Sequence, residues 1–242
     1  LSLEGIWEFA HEVDVEDIRE MIERQVGLNC VISDEGLSGD WGARIGKTLL
    51  LTRPDDISCR ARAAAAAGSD ARMSGCAMPV GITCSLPVAE YAKYLRVAHD
   101  EMLRAVALSD LTAIHAKRFI GELSAFCGAV TAATGAGAAV CYLRGGSFGQ
   151  YQATIANTLA NVGGIVCDGA KPSCAAKIAA AVDAAILGCD MALANVDFRP
   201  GEGLIGDTAE ETIRSMGYVG RVGMHPTDVE ILNIMIGKTI CS

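Results

Sequence analysis

The sequence has no surplus of basic charge and no basic stripe. Its 20 Lys and Arg are scattered against 29 Asp and Glu, for a formal net charge of −9. A phosphate backbone is recognised by clustered cations, so a nucleic-acid partner is not expected. A run long enough for a bilayer is also missing. The longest low-charge stretch, GAVTAATGAGAAVCYL from Gly128 to Leu143, has 16 residues and is dominated by Gly and Ala, whereas a span takes about 20 strongly apolar residues. No membrane helix is expected. No charged segment followed by an apolar one opens the sequence, so nothing marks it for export. It also shows no convincing period-two strand, no internal repeat, and no low-complexity linker beyond the alanines at 63–67.

What is present is helical. Over 242 residues, 51% are hydrophobic, enough to fill a sizeable core. In VEDIREMIERQVGLNCVIS, residues 15–33, Ile18, Ile22 and Val26 fall four apart behind an acidic start, as an amphipathic helix requires. Gly36, Gly39 and Gly42 then interrupt the pattern. The Ala-rich segment from Asp56 ends near Gly68, with Ser69 or Asp70 placed to cap the next element. After Pro87 the pattern predicts two helices with a break at Ser109-Asp110. From Gly121 onward small residues outnumber large ones and no wide polar face remains, so 128–143 and 175–187 are predicted to be central, closely packed helices. Tyr151 to Val162 reads as a helix closed by Gly163-Gly164. The tail holds a glycine-rich loop, Pro200 to Asp207, a short helix TAEETIRSM, and a last amphipathic helix capped by Thr227 or Asp228. The expectation is one mainly α domain over residues 1–242, with small-residue helices at its centre.

Ten cysteines stand at 30, 59, 76, 84, 127, 141, 167, 174, 189 and 241. A secreted disulfide scaffold would be shorter and poorer in aliphatic residues, so reduced thiols in a cytoplasm are the better reading. For any one of them, core packing is the default. The stretch CDGAKPSC, Cys167 to Cys174, is different. Gly169 and Pro172 oppose a continuous helix, so a loop is predicted to carry Cys167 into a helix that starts at Pro172 or Ser173, with Cys174 in its first turn. A helix N-terminus depresses a thiol's pKa and favours the metal-binding thiolate, and Lys171 and Lys177 add positive charge. C-x6-C matches no common zinc ribbon or finger. Three readings stay open from spacing alone: buried metal-free thiols, a zinc or redox pair of Cys167 with Cys174, or a metal site completed by Cys127 or Cys141.

At larger scale, AEYAKYLRVAHDEMLRAVALSDLTAIHAKRFIGELSAFCGAVTAATGAGAAVCYLRGG, NVGGIVCDGAKPSCAAKIAAAVDAA and GYVGRVGMHPTDVEIL resemble the iron-sulfur L-cysteine desulfidase family, itself related to the alpha chain of iron-sulfur L-serine dehydratases. The resemblance runs from about Leu3 to Ile236 and is most specific in the second half. It implies a 4Fe-4S cluster held by Cys127, Cys167 and Cys174, with Cys141 left to packing. It implies further that one iron is open to a small amino-acid substrate, and that the reaction is an α,β-elimination giving pyruvate and ammonia without pyridoxal phosphate. Sulfide leaves in a desulfidase and water in a dehydratase. Lys171, between two ligands, is the residue expected to meet the substrate carboxylate or the cluster's charge. A homo-oligomer is the expected assembly.

Relative to that family the sequence departs twice. An early GCT motif, whose cysteine acts in catalysis there, has no counterpart before Leu1, so the chain is expected to be the C-terminal part of a longer protein. A stretch like SGSGNQG is absent where GCAMPV runs into GITCSLPV, and residues are expected to be missing between Val80 and Gly81. Other polar residues read as structural: Asp168 shaping its loop, Asn157 and Asn161 bridging helices, and His99, His115 and His225 as surface or core histidines. Cys76 borders the absent stretch, and Cys241 is close enough to the end of the chain to swing toward an open iron.

Overall fold

The small-residue run forms α7 (Gly128–Leu143), and α5 (Met78–Leu95), α6 (His99–Ile120), α8 (Phe148–Val162) and α9 (Ser173–Leu193) all pack against it. The computed structural model describes residues 1–29, 39–70, 78–121 and 124–238. Every residue of α7 from Ala129 to Tyr142 is buried. Its glycines explain how four helices reach it: a Cβ on Gly135 would lie 2.2 Å from the Ser109 carbonyl oxygen of α6, and one on Gly137 would lie 2.8 Å from that of Ala185 in α9. Side-chain-free positions thus bring backbones together, and dense packing offsets the helix propensity that glycine forfeits.

Around this centre stand α1 (Leu3–Glu12), α2 (Val15–Asn29), α3 (Trp41–Leu50), α4 (Ile57–Gly68), α10 (Ala209–Tyr218), a π-helical turn (Val219–Gly223) and α11 (His225–Met235). Among the described residues there is no strand, only an isolated antiparallel bridge between Phe126 and Val166. The chain is one mainly α domain. Among the described residues no helix is long and apolar enough to cross a membrane. The predicted centre holds: α7 and α9 sit where the small residues placed them, and α8 begins with a full capping box in which Ser147 and Gln150 exchange bonds.

Three local expectations are corrected. No break occurs at Ser109-Asp110; α6 runs unbroken because Ser109 is buried against α7 and Asp110 turns sideways toward α2. The residues that follow Asp70 lie outside the described ones. Among the described residues, the two Asp70 carboxylate oxygens accept the Gly42 and Ala43 N–H groups at 3.1 and 2.7 Å and so cap α3 from across the fold. α11 begins at His225 with Pro226 in its first turn, so Thr227 and Asp228 lie inside the helix and do not cap it, and none of its residues is buried. Pro87 lies within α5 rather than before a helix, forgoing one intrahelical bond.

Candidate functional site

The Phe126–Val166 bridge is where the site begins. The Cys127 N–H donates to the Ile165 carbonyl at 3.0 Å and the Cys167 N–H to that of Ala125 at 2.6 Å, so the two cysteines sit on facing segments. Ser124 braces one side: its hydroxyl donates to the Gly220 carbonyl at 2.6 Å and accepts the Phe126 N–H at 3.0 Å. The π-helical turn closes behind, where Gly220 lies so near Phe126 that a Cβ would stand 3.1 Å from that ring's own Cβ. Single π turns recur at functional sites, and this one shapes the back wall.

Cys127 is the N-cap of α7 and Cys174 lies in the first turn of α9, so two positive helix ends face the same loop. The Cys127 and Cys167 thiols are near neighbours. That contact with Cys127 draws Cys167 well below the ordinary thiol range despite burial, helped by the Gly169 N–H and the charge of Lys177. The same contact, with burial, holds Cys127 far above that range, although the Ala129 N–H points at its sulfur. Gly169 takes φ +88°, a left-handed conformation that side chains resist, and this is what turns its N–H toward Cys167. The Cys174 thiol points to the Gly169 carbonyl at 3.6 Å.

Lys177 ties the site together. Its ammonium donates to the Val166 carbonyl at 2.7 Å, pairs with Asp168, and is within electrostatic reach of Cys127, Cys167 and Cys174. Lys171 pairs with the other oxygen of Asp168 and donates to its carbonyl at 3.1 Å. The two lysines hold the Asp168 carboxyl down at a pKa of about 2. From the last turn of α6, Lys117 also faces Cys167 and Cys127; burial lowers its pKa while those two groups and Asp228 oppose the shift.

Of the sequence-derived site residues, the structure brings Cys127 and Cys167 together and places Lys171 and Cys174 on the adjoining loop and helix start. Among the described residues no group of three or more His, Cys, Asp or Glu is close enough to hold a metal ion. The donor set nevertheless suits a thiolate-bound cluster: two adjacent thiols, backbone N–H groups on their sulfurs, flanking ammonium groups, and a third thiol one glycine-containing loop away. Cys141 is fully buried beside Cys189, as a packing residue should be. Asn157 bridges helices, donating to the Gly188 and Val196 carbonyls at 3.4 and 3.3 Å, while His115 is buried on Glu210 and His99 sits at the surface on Glu23. Cys30, Cys76 and Cys241 lie outside the described residues. Sequence reasoning gave Lys177 only a supporting charge. Its i+3 spacing from Cys174 on one helix face was the available signal. Lys117 had none, since it reaches the site through the α6–α7 contact alone.

Fold and site together define a mainly helical protein with Cys127 and Cys174 at two helix N-termini, Cys167 beside Cys127, and lysine ammonium groups near them. The family model described as serine dehydratase alpha chain matches residues 4–233, and the chain belongs to that family. It is similar to a UPF0597 protein of Desulfitobacterium hafniense, 49% identical over 98% of this chain and 57% of the relative. Similar proteins of the same name occur in Finegoldia magna, 47% identical over 98% of this chain and 59% of the relative, and in Treponema denticola, 42% identical over 98% and 58%. The chain therefore spans somewhat less than three-fifths of the length of these curated relatives. The Desulfitobacterium alignment covers 247 positions, more than the 242 residues here, so that relative carries residues with no counterpart in this sequence.

Proposed function

We propose that residues 1–242 are the cluster-holding portion of an iron-sulfur lyase that eliminates sulfide from L-cysteine, leaving pyruvate and ammonia. The observation that carries this reading is the placing of Cys127 and Cys167 side by side across the Phe126–Val166 bridge, with Lys177 bonded to the Val166 carbonyl beside them. Cys127, Cys167 and Cys174 would hold a 4Fe-4S cluster. When bound, such a cluster supplies an open iron that acts as a Lewis acid toward the substrate's carboxylate and leaving group.

The chain's own residues do the rest of what can be assigned. Lys177 fixes the 166–168 segment and balances the thiolate charge. Lys171, half exposed on the same loop, orients the substrate by its carboxylate. Reduced thiols of this kind are at home in a cytoplasm. The family match favours a second reading, L-serine as substrate with water leaving.

The test is anaerobic purification and reconstitution of the full-length protein, followed by incubation with L-cysteine and with L-serine. Brown colour, with broad absorption around 400 nm where thiolate-to-iron transitions fall, is expected. Sulfide, ammonia and pyruvate in equal amounts from L-cysteine support the first reading. Ammonia and pyruvate from L-serine alone support the second. A colourless protein that binds about one zinc, or iron content unchanged when Cys127, Cys167 and Cys174 are each replaced by serine, would overturn both.

A further inference from the structure

Away from the thiols, a cavity of about 440 Å³ opens between α1, α2, α5 and α6. This is a normal size for a small-molecule site. Its walls are apolar, with Phe9, Ile18, Met21, Leu111 and Ile114, and its mouth is open: Met21 is 60% and Ile114 55% exposed. Two polar side chains line it, Asp110 and Gln25. The Gln25 amide donates to Asp110 Oδ1 at 3.0 Å and to the Gly81 carbonyl at 3.3 Å. With its N–H groups committed, Gln25 has only its oxygen left to offer, and a carboxylate likewise only accepts. Among the described residues no cation pairs with Asp110, and no Lys, Arg or His lines the cavity.

A cavity that presents acceptors and one uncompensated carboxylate selects a ligand that brings donors and positive charge. It does not select an anion. Nor does it select a free amino acid, whose carboxylate would meet apolar walls and Asp110 with no cation to receive it. We propose that the cavity binds a small amine, its ammonium against Asp110 and its apolar body on Phe9, Met21, Leu111 and Ile114. Burial raises the Asp110 pKa to about 6, with the bond from Gln25 and the Cys84 thiol opposing in part. This is the state of a carboxylate that lacks its counter-ion. Val80 borders the cavity and also stands 3.7 Å from the Cβ position of Gly128, next to Cys127, so a bound amine would sit on the far wall of the thiol site.

The test is calorimetric titration of the full-length protein with phenethylamine, 2-phenylethanol and L-phenylalanine. It needs no cluster and reports nothing on elimination. Phenethylamine is expected to bind at least about tenfold more tightly than either analogue, the difference a charge-assisted hydrogen bond makes. Asp110→Asn, nearly isosteric, should weaken it by about tenfold or more. Ile114→Ala, at the exposed mouth where folding is not at stake, should weaken it severalfold. No amine binding by natively folded protein, equal binding of alcohol and amine, or unchanged affinity in both variants would each overturn the assignment. The first of these includes the case in which another part of the full protein fills the cavity.

Discussion

Replacing Lys177 with methionine keeps the length of the side chain and removes its charge and donors. The bond to the Val166 carbonyl is lost, as is one of the two ammonium groups on Asp168. A hydrogen bond to a charged donor contributes about 1.5–3 kcal/mol, but the Lys177 side chain is 25% exposed and Val166 38%, so water takes over part of it. A loss of about 1–1.5 kcal/mol is expected, which in a chain of this length lowers the melting temperature by roughly 3–5 °C. Lys171→Met is the control. That ion pair joins side chains 33% and 39% exposed, and Asp168 keeps Lys177, so about 0–0.5 kcal/mol is at stake. Circular dichroism melts of the cluster-free protein measure both. Iron content after reconstitution should fall in the Lys177 variant and hold in the Lys171 variant. If Lys171→Met melts as low as Lys177→Met, or if Lys177→Met matches the parent in both assays, Lys177 is not the residue that fixes this segment.

Four further outcomes rest on packing, capping and charge. Gly135→Ala places a methyl 2.2 Å from a backbone oxygen, so α6 and α7 must part; about 1–3 kcal/mol of overpacking exceeds the gain in helix propensity, and the urea midpoint drops. Gly27→Ala in α2, with nothing within 4 Å of the new methyl, should instead stabilise the fold by about 0.5–1 kcal/mol and raise that midpoint. Asp70→Ala strips the Gly42 and Ala43 N–H groups of their acceptor at a cost of about 1–3 kcal/mol, and hydrogen exchange should quicken in α3 before any other helix. Asp110 titrates at about 6 when folded, chiefly through burial, against about 3.9 when unfolded. Its folded pKa is the higher one, so its favourable contribution is complete below about pH 4 and fades as pH rises through about 6, a loss of about 2–3 kcal/mol. Urea titrations at pH 4 and 7 should therefore diverge less for Asp110→Asn than for the parent by that amount; parallel curves would refute it.

The features legible in the sequence were those written in one local segment. The small residues of 128–143 have no polar face, so only burial suits them, and CDGAKPSC carries its own loop-to-helix turn in Gly169 and Pro172. What escaped was written in two places at once. Asp70 has the residue type of a cap, but the helix it caps starts at Trp41, and nothing local reveals the pairing. Ser109-Asp110 has the composition of a break, yet the close approach of Gly135 buries that stretch and keeps it helical. α3 went unseen because Gly42, which reads as a breaker, is together with Gly46 where α4 comes near: a Cβ at either would lie 2.3 or 2.9 Å from a carbonyl oxygen of that helix.

The same economy of side chains places the thiols. Because α7 has no bulk, α9 packs closely on it, with Gly137 against Ala185. Their N-termini carry Cys127 and Cys174, and the bridge at Phe126–Val166 hangs Cys167 between them. Large residues inside α7 would spread the helices and carry these sulfurs apart. A Gly137→Leu change, about 15 Å along the helix from Cys127 at 1.5 Å per residue, should therefore lower iron loading without touching a ligand. Equal loading in a folded Gly137→Leu protein would show that the loop, and not the helix pair, gathers the thiols.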